Sequence, residues 1–371
     1  MHEKKDSLYM QKSLQLAERG RGNVEPNPMV GAVVVSGGRI VGKGWHRMYG
    51  EPHAEVEALS DAGVQARGAT LYVSLEPCNH YGKTPPCTQA IIDAGIRKVV
   101  IGMPDPNPDV AGRGAKRLRD AGLTVVEDVE RARCEALNEV FIVNVTEKRP
   151  FILLKIAQTL DGYIAAQKGT SHWITSEESR VEVHRLRSLY DAVLVGAETV
   201  RKDNPSLTVR HVDGRQPQRI LLTRSWNVSP AAAIFRDGGE DRTIVVTSKK
   251  SARTHAEFIG KLRKRGIRVI EVTTDTLEYA SLKSALQVLF EEHSIRSILV
   301  EGGAEVFSAF VRARIADRID IFTAPKIIGQ GRGAFSGLRP LHLTDAYRYR
   351  VEDVLRMGSD VYTILRPDKE D

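Results

Sequence analysis

Only three cysteines occur in 371 residues, too few and too unevenly placed for a disulfide framework. Aromatic residues make up 6% of the chain, and no dense basic run is interleaved with them, so the pattern offers no support for nucleic-acid binding. No apolar stretch approaches the roughly eighteen uninterrupted residues of a membrane helix. Met1 to Asp6 is charged and lacks an apolar run, so no secretory signal is visible and a cytoplasmic location is expected. Internal repeats, low-complexity segments and a G-x-G-x-x-G dinucleotide turn are also lacking, which removes a Rossmann reading on spacing.

What remains is an ordinary globular composition, 42% apolar and 27% charged, in a chain too long for one core, so two domains are expected. The formal charge of +7 allows attraction to phosphates without saying which. The most basic cluster, Lys261 to Arg265, has Leu262 on its inner side and reads as the solvated end of a helix. Cys134 lies in the helical pattern Glu130 to Leu137 and reads as a small buried thiol.

The other two cysteines belong to a constellation. His53-Ala54-Glu55 is followed by Pro77-Cys78 and then Pro86-Cys87. Two thiolates would neutralise the charge of Zn²⁺ and a histidine would complete three protein ligands, leaving the fourth tetrahedral position for water. Glu55, a carboxylate beside the site but not in it, is then the candidate proton shuttle. The order matches the zinc deaminase signature H-x-E followed by P-C-x-x-C. The spacing does not, because eight residues, Asn79 to Pro86, replace the two-residue turn. A structural zinc would need a fourth protein ligand, and His80 is the obvious local candidate.

Apolar periodicity predicts a helix over Asp6 to Arg19 and a hairpin of Met29 to Val35 with Arg39 to Gly44 about a Ser36-Gly37-Gly38 turn. Helices near 54–62 and 88–94 alternate with strands 70–74 and 98–102, which predicts a sheet covered by helices. Pro52-His53 and Pro86-Cys87 each open a helical pattern, so both halves of the zinc site fall at helix beginnings, where the dipole helps Cys87 bind as thiolate. A further helix is expected over 129–140. The polar turn Thr146 to Pro150 before the apolar run Phe151 to Leu154 puts the domain joint near 148. Beyond it, strands are expected at 192–196, 219–223, 243–247, 268–270 and 297–300. The last runs into Glu301-Gly302-Gly303-Ala304 and an apolar helix, a turn able to present backbone N–H groups to an anion.

Taken together, Asn27 to Gly31, Gly44-Trp45-His46, His53-Ala54-Glu55 and the whole of Glu76 to Cys87, long loop included, resemble the bifunctional riboflavin-biosynthesis deaminase/reductase family. So do Lys155 to Gly162, Ser171 to Thr175, Gly196 to Val200, Asp203 to Arg210 and Glu301-Gly302-Gly303 in the second part. The resemblance spans nearly the whole chain, with nothing diagnostic over roughly 226–290. It implies an α/β protein, with a cytidine-deaminase-like α/β/α domain over 1–148 and a dihydrofolate-reductase-like α/β domain over 149–371. It also implies one Zn²⁺ per chain held by His53, Cys78 and Cys87, NADPH as second cofactor, and a small phosphorylated pyrimidine substrate, with no nucleic-acid or membrane partner and a possible homo-oligomer.

For site residues the resemblance implies Glu55, Lys155 and Asp203 as catalytic groups. Ala157, Trp173, Thr199, Asp203, Ser225, Gly303, Ala304 and Glu305 would line the NADPH site. Asn27, His46, Ser171, Arg187, Leu207, Arg210 and Glu301 would contact substrate, the two arginines suiting its 5-phosphate. Arg224 and Lys249-Lys250 are candidates for the cofactor's 2′-phosphate. The rival enzyme reading is a tRNA or nucleotide deaminase with an accessory domain. From another class comes a basic nucleic-acid binder with a structural zinc.

Overall fold

Short apolar runs bounded by polar turns become strands in both parts of the chain, as the computed structural model shows over residues 2–81, 85–108, 110–167, 174–273 and 278–368. The chain divides into two compact units, Met1–Lys148 and Arg149–Asp371. Among the described residues, no helix is long and apolar enough to cross a membrane.

In the first unit the described strands are β1 (Gly31–Ser36), β2 (Arg39–Trp45), β3 (Thr70–Leu75), β4 (Lys98–Met103) and β5 (Thr124–Val126), paired in the order β2-β1-β3-β4-β5. β1 runs antiparallel to β2 and β3, whereas β3, β4 and β5 are parallel. The expected hairpin forms with Ser36 opposite Arg39. Its two turn residues, Gly37 and Gly38, have φ of +54° and +77°, the backbone that matches strand twist and that glycine adopts without strain. Two further glycines position the site. A Cβ on Gly42 would lie 2.2 Å from the Ala58 carbonyl oxygen, and one on Gly44 would lie 2.3 Å from that of Ala54. Their bare face therefore lets the helix Ala54–Ala62 lie directly on β2, and that helix begins just after His53.

The first helix, His2–Ala17, opens the unit as expected, and Met10, Leu14 and Leu16 are buried on its inner face. The single helix expected over 129–140 is instead two, Arg131–Leu137 and Glu139–Glu147, broken at Asn138. The cause is tertiary. Asn138 is buried, its Oδ1 accepts from the Met29 N–H at 2.9 Å, and its Nδ2 donates to the Met29 carbonyl at 3.0 Å. This side-chain bridge across the unit holds Asn138 at the break between the two helices.

The second unit holds β6 (Phe151–Thr159), β7 (Tyr163–Ala166), β8 (Ala192–Gly196), β9 (Gln218–Leu222), β10 (Thr243–Ser248), β11 (Arg268–Val272), β12 (Ser297–Gly302), β13 (Arg318–Ala324), β14 (Gly331–Gly333), β15 (Tyr349–Met357) and β16 (Asp360–Pro367). Nine of these form one sheet in the order β11-β10-β9-β8-β12-β6-β13-β16-β15, and β14 pairs with β7. From β11 to β13 every pairing is parallel, and the last two strands fold back antiparallel. The order explains the continuous apolar runs. Ile298, Leu299 and Val300 in β12 are fully buried between β8 and β6, and each such side chain contributes up to about 1.5–3 kcal/mol on leaving water. The chain steps outward through β8, β9, β10 and β11, then returns to β12 between β8 and β6. The carboxyl ends of strands at such a reversal leave a crevice where ligands bind in open α/β sheets.

Candidate functional site

The candidate metal centre is made at two helix beginnings. His53 caps the helix Ala54–Ala62 with extended backbone, and Cys87 is the first residue of Cys87–Asp93. His53 Nδ1 lies 3.2 Å from Cys87 Sγ and 3.7 Å from Cys78 Sγ, and the three ligand atoms all fall within 4.8 Å of one another. Zn–S and Zn–N bonds of about 2.3 and 2.0 Å require separations of this order around one tetrahedral ion. The Cys87 backbone N–H also points at Cys78 Sγ, at 3.3 Å. The contact with Cys87 lowers the pKa of the Cys78 thiol, and the same contact pushes the Cys87 thiol up. A set of two sulfurs and one imidazole suits zinc. His80 is exposed and lies outside the group of potential metal ligands found among the described residues, so the set stops at three, as a site with an open position requires.

Glu55 lies in the first turn of the helix Ala54–Ala62, 3% exposed, yet it lines a cavity of about 370 Å³ with His53, Cys78, Asn27 and His46. Burial raises its carboxyl above the usual range, against the opposing pull of His53. The His46 Nδ1 faces the Pro52 carbonyl at 3.2 Å and its Nε2 faces Asn27 Nδ2 at 3.1 Å. A neutral ring protonated on Nδ1 satisfies both contacts, and burial holds the His46 pKa down. Three further residues serve this cavity without being named among the sequence candidates. Asn138 pins Met29 beside Pro28. Buried Glu76 accepts the backbone N–H groups of Asp105, Gly112 and Ala115, shaping the loop that brings Asp105 to the cavity wall. Glu76 lay in plain view in the Glu76-Pro77-Cys78 run, but Asn138 and Asp105 carry no local signal.

In the second unit, Lys155, Arg187 and Glu301 meet although they are far apart in the chain. The register that sets Val300 against Leu154 brings the next residues, Glu301 and Lys155, side by side, and Lys155 Nζ is 3.3 Å from Glu301 Oε2. Arg187, on the helix Glu177–Leu189, forks onto both Glu301 oxygens at 2.6 and 2.9 Å. Burial alone would push the Glu301 carboxyl up, but Arg187 and then Lys155 outweigh it and hold it well below the usual carboxylate range. Two cations against one anion leave a buried excess of positive charge. Arg187 is committed to this cluster and to the Thr208 carbonyl at 3.0 Å, whereas Arg210 is exposed and bonded to Thr208 Oγ1 at 2.7 Å.

The crevice at the strand reversal is lined by Glu198, Arg201, Arg224, Ser225, Gly303 and Glu305, with a volume of about 240 Å³. Of the expected cofactor residues, Ser225, Gly303 and Glu305 therefore share one cleft. Thr199 Oγ1 would lie 3.3 Å from a Cβ on Gly303, so glycine there keeps the approach open. The Gly302-Gly303 peptide is cis, and Ala304 opens the helix Ala304–Arg312. Ala157 lies two residues beyond Lys155 on β6, and Asp203 is exposed at the end of the helix Ala197–Asp203. Arg224 reaches Glu305 at 2.8 Å; Lys249 and Lys250 are not among the residues lining this cleft. Leu207 is buried with φ +55°. Ser171 and Trp173 lie outside the described residues.

Comparison with known proteins agrees with both halves. Residues 3–103 match the cytidine and deoxycytidylate deaminase zinc-binding region, and residues 150–363 match the RibD C-terminal domain. A zinc deaminase joined to a reductase is thus the class that these units define. The riboflavin biosynthesis protein RibD of Aquifex aeolicus (strain VF5) is 44% identical over 97% of this chain and 98% of its own, and that of Escherichia coli (strain K12) is 38% identical over 96% and 98%. Among solved structures, the Thermotoga maritima diaminohydroxyphosphoribosylaminopyrimidine deaminase/5-amino-6-(5-phosphoribosylamino)uracil reductase has a TM-score of 0.82 at 42% identity, covering 99% of this chain and 100% of that one. The chain belongs to this bifunctional RibD family of riboflavin biosynthesis, with a zinc deaminase domain and an NADPH-dependent reductase domain.

Proposed function

We propose that the chain performs two consecutive steps on one phosphorylated pyrimidine. The first unit removes an exocyclic amine from 2,5-diamino-6-(5-phosphoribosylamino)pyrimidin-4-one, and the second reduces the ribosyl side chain of the product to ribityl. The observation that carries the reading is the cluster of His53, Cys78 and Cys87 beside a carboxylate, Glu55, that is buried and still faces a cavity. Zinc held by these three residues would supply a Lewis acid that makes water a nucleophile at neutral pH.

The remaining work falls to the chain's own groups. Glu55 takes the proton from the attacking water and delivers it to the departing ammonia, a role that its raised affinity for protons suits. The contact between Asn27 Nδ2 and His46 Nε2 leaves the Asn27 carbonyl oxygen to accept from the pyrimidine. In the second unit, NADPH in the Ser225–Gly303–Glu305 cleft would supply hydride to the open-chain imine carbon of the sugar. Lys155 donates the accompanying proton, the buried Glu301 keeping it oriented. Arg210 is the exposed cation suited to the 5-phosphate, and Leu207 packs beneath the substrate.

Mass spectrometry of the diaminopyrimidine after incubation with zinc-loaded protein tests both halves. Conversion of amine to oxo without NADPH, then addition of two hydrogens only with it, is the expected result. Deamination with no further mass change in NADPH would remove the reductase assignment, and an unchanged substrate would remove the deaminase assignment.

A further inference from the structure

The stretch between Trp226 and Arg242 carries no family motif, yet it encloses a fully engaged cation. Arg219, on β9, is 1% exposed. Its Nη1 donates to both Asp237 oxygens at 2.6 Å, while Nε and Nη2 donate to Thr243 Oγ1 at 3.1 and 2.7 Å and Nη2 also reaches the Gly239 carbonyl. One contact leaves this local cage. Arg219 Nη1 donates to the Ser206 carbonyl at 3.3 Å. Two residues along, the Thr208 carbonyl accepts from Arg187 at 3.0 Å, the same arginine that holds Glu301.

The residue between these two gripped carbonyls is Leu207, buried with φ +55°. Leucine does not hold a left-handed backbone unaided, because its Cβ crowds the neighbouring carbonyl; such a conformation persists where the surroundings over-determine it. A second left-handed residue, Asn204 with φ +42°, begins the loop, and its Oδ1 accepts the Ala233 N–H at 2.7 Å. The loop therefore has one grip on the side of the Glu301 cluster and two from the motif-free stretch and the arginine it encloses.

We infer that Arg219, backed by Asp237, and Ala233, through its bond to Asn204, together position the Asn204–Leu207 loop of the reductase site so that Leu207 and Arg210 meet the substrate. It rests on the reductase reading given above. A group that shapes the substrate wall acts on substrate binding, leaving NADPH binding and the deaminase unit alone.

The test uses the full-length zinc-loaded protein supplied with 5-amino-6-(5-phosphoribosylamino)uracil, following NADPH consumption. Asn204→Gly keeps the left-handed backbone and removes the acceptor, Asn204→Asp keeps both acceptor and loop, and Arg219→Lys keeps the charge but loses the fork. Loss of the single Ala233 bond in Asn204→Gly should raise KM for the uracil about tenfold, and Arg219→Lys, which breaks the fork, should raise it at least as much. Reductase kcat, the Kd for NADPH and ammonia release by the first unit should stay within about twofold of the parent, and Asn204→Asp should restore KM. An unchanged KM in Asn204→Gly, or a loss falling on kcat and NADPH binding alike, overturns the positioning role. If Arg219→Lys fails to fold, the Asn204 pair decides alone. Parent protein that consumes no NADPH with this uracil overturns the reductase reading and the inference with it, a result distinct from an active parent with unaltered variants.

Discussion

In the first unit the chemistry-bearing groups stand on consecutive elements, with His53 and Glu55 at one helix beginning and Cys78 and Cys87 around the next. In the second, Lys155, Arg187 and Glu301 come from β6, a following helix and β12, and meet only because the chain steps out through four strands and returns. The first arrangement needs a helix laid close on a strand, which Gly42 and Gly44 permit. The second needs the whole parallel sheet. A local site can fail by losing one ligand while its unit stands, whereas a site made by topology shares its groups with the core.

The comparison breaks most sharply at Glu55. Glu55→Ala should reduce ammonia release about a thousandfold, the order of a lost general acid–base group. Zinc content and NADPH-dependent reduction of supplied aminouracil should not change. Metal analysis and the two assays on one preparation check this, and undiminished ammonia release would end the proton-carrying role. The second unit should respond differently. Glu301→Gln leaves Lys155 and Arg187 facing a neutral amide in a buried setting, so reduction should fall and the second unit should lose about 3–5 kcal/mol of stability. Denaturant unfolding followed beside the two activities would show a site separable from its fold if stability stayed at the parent value.

The same contrast governs what could be read without coordinates. His53, Glu55, Cys78 and Cys87 were legible because ligand chemistry dictates residue types and order, and the central parallel strands β8, β9, β10 and β12 because a two-sided buried strand must be apolar along its length. The break at Asn138 was not legible, since its cause is Met29 far back in the chain. Nor was Arg219, which reads as one charge at the start of an apolar strand until Asp237, Thr243 and Ser206 are seen around it. The closing strands β13, β15 and β16 were also missed. β15 is exposed along most of its length, so it lacks the apolar run that marks its neighbours.

The smallest expected effect concerns acid sensitivity, and it also separates the units. His184, on the helix that carries Arg187, accepts the Arg210 N–H through Nδ1 at 3.0 Å. Burial, followed by Arg187, His211 and Arg210, lowers its pKa to about 4, with Glu301 opposing. The folded second unit therefore keeps His184 neutral while the unfolded chain protonates it below an ordinary value of 6.5. Its contribution is complete above that value and is lost as the pH falls from 6.5 towards 4, because there the unfolded state binds the extra proton. Unfolding of the second unit should accordingly show a proton uptake of up to about one across this window. His184→Gln, which keeps an acceptor for Arg210 but cannot titrate, should remove that slope and leave the first unit's unfolding as it was. An identical slope in the variant would assign the sensitivity to other groups.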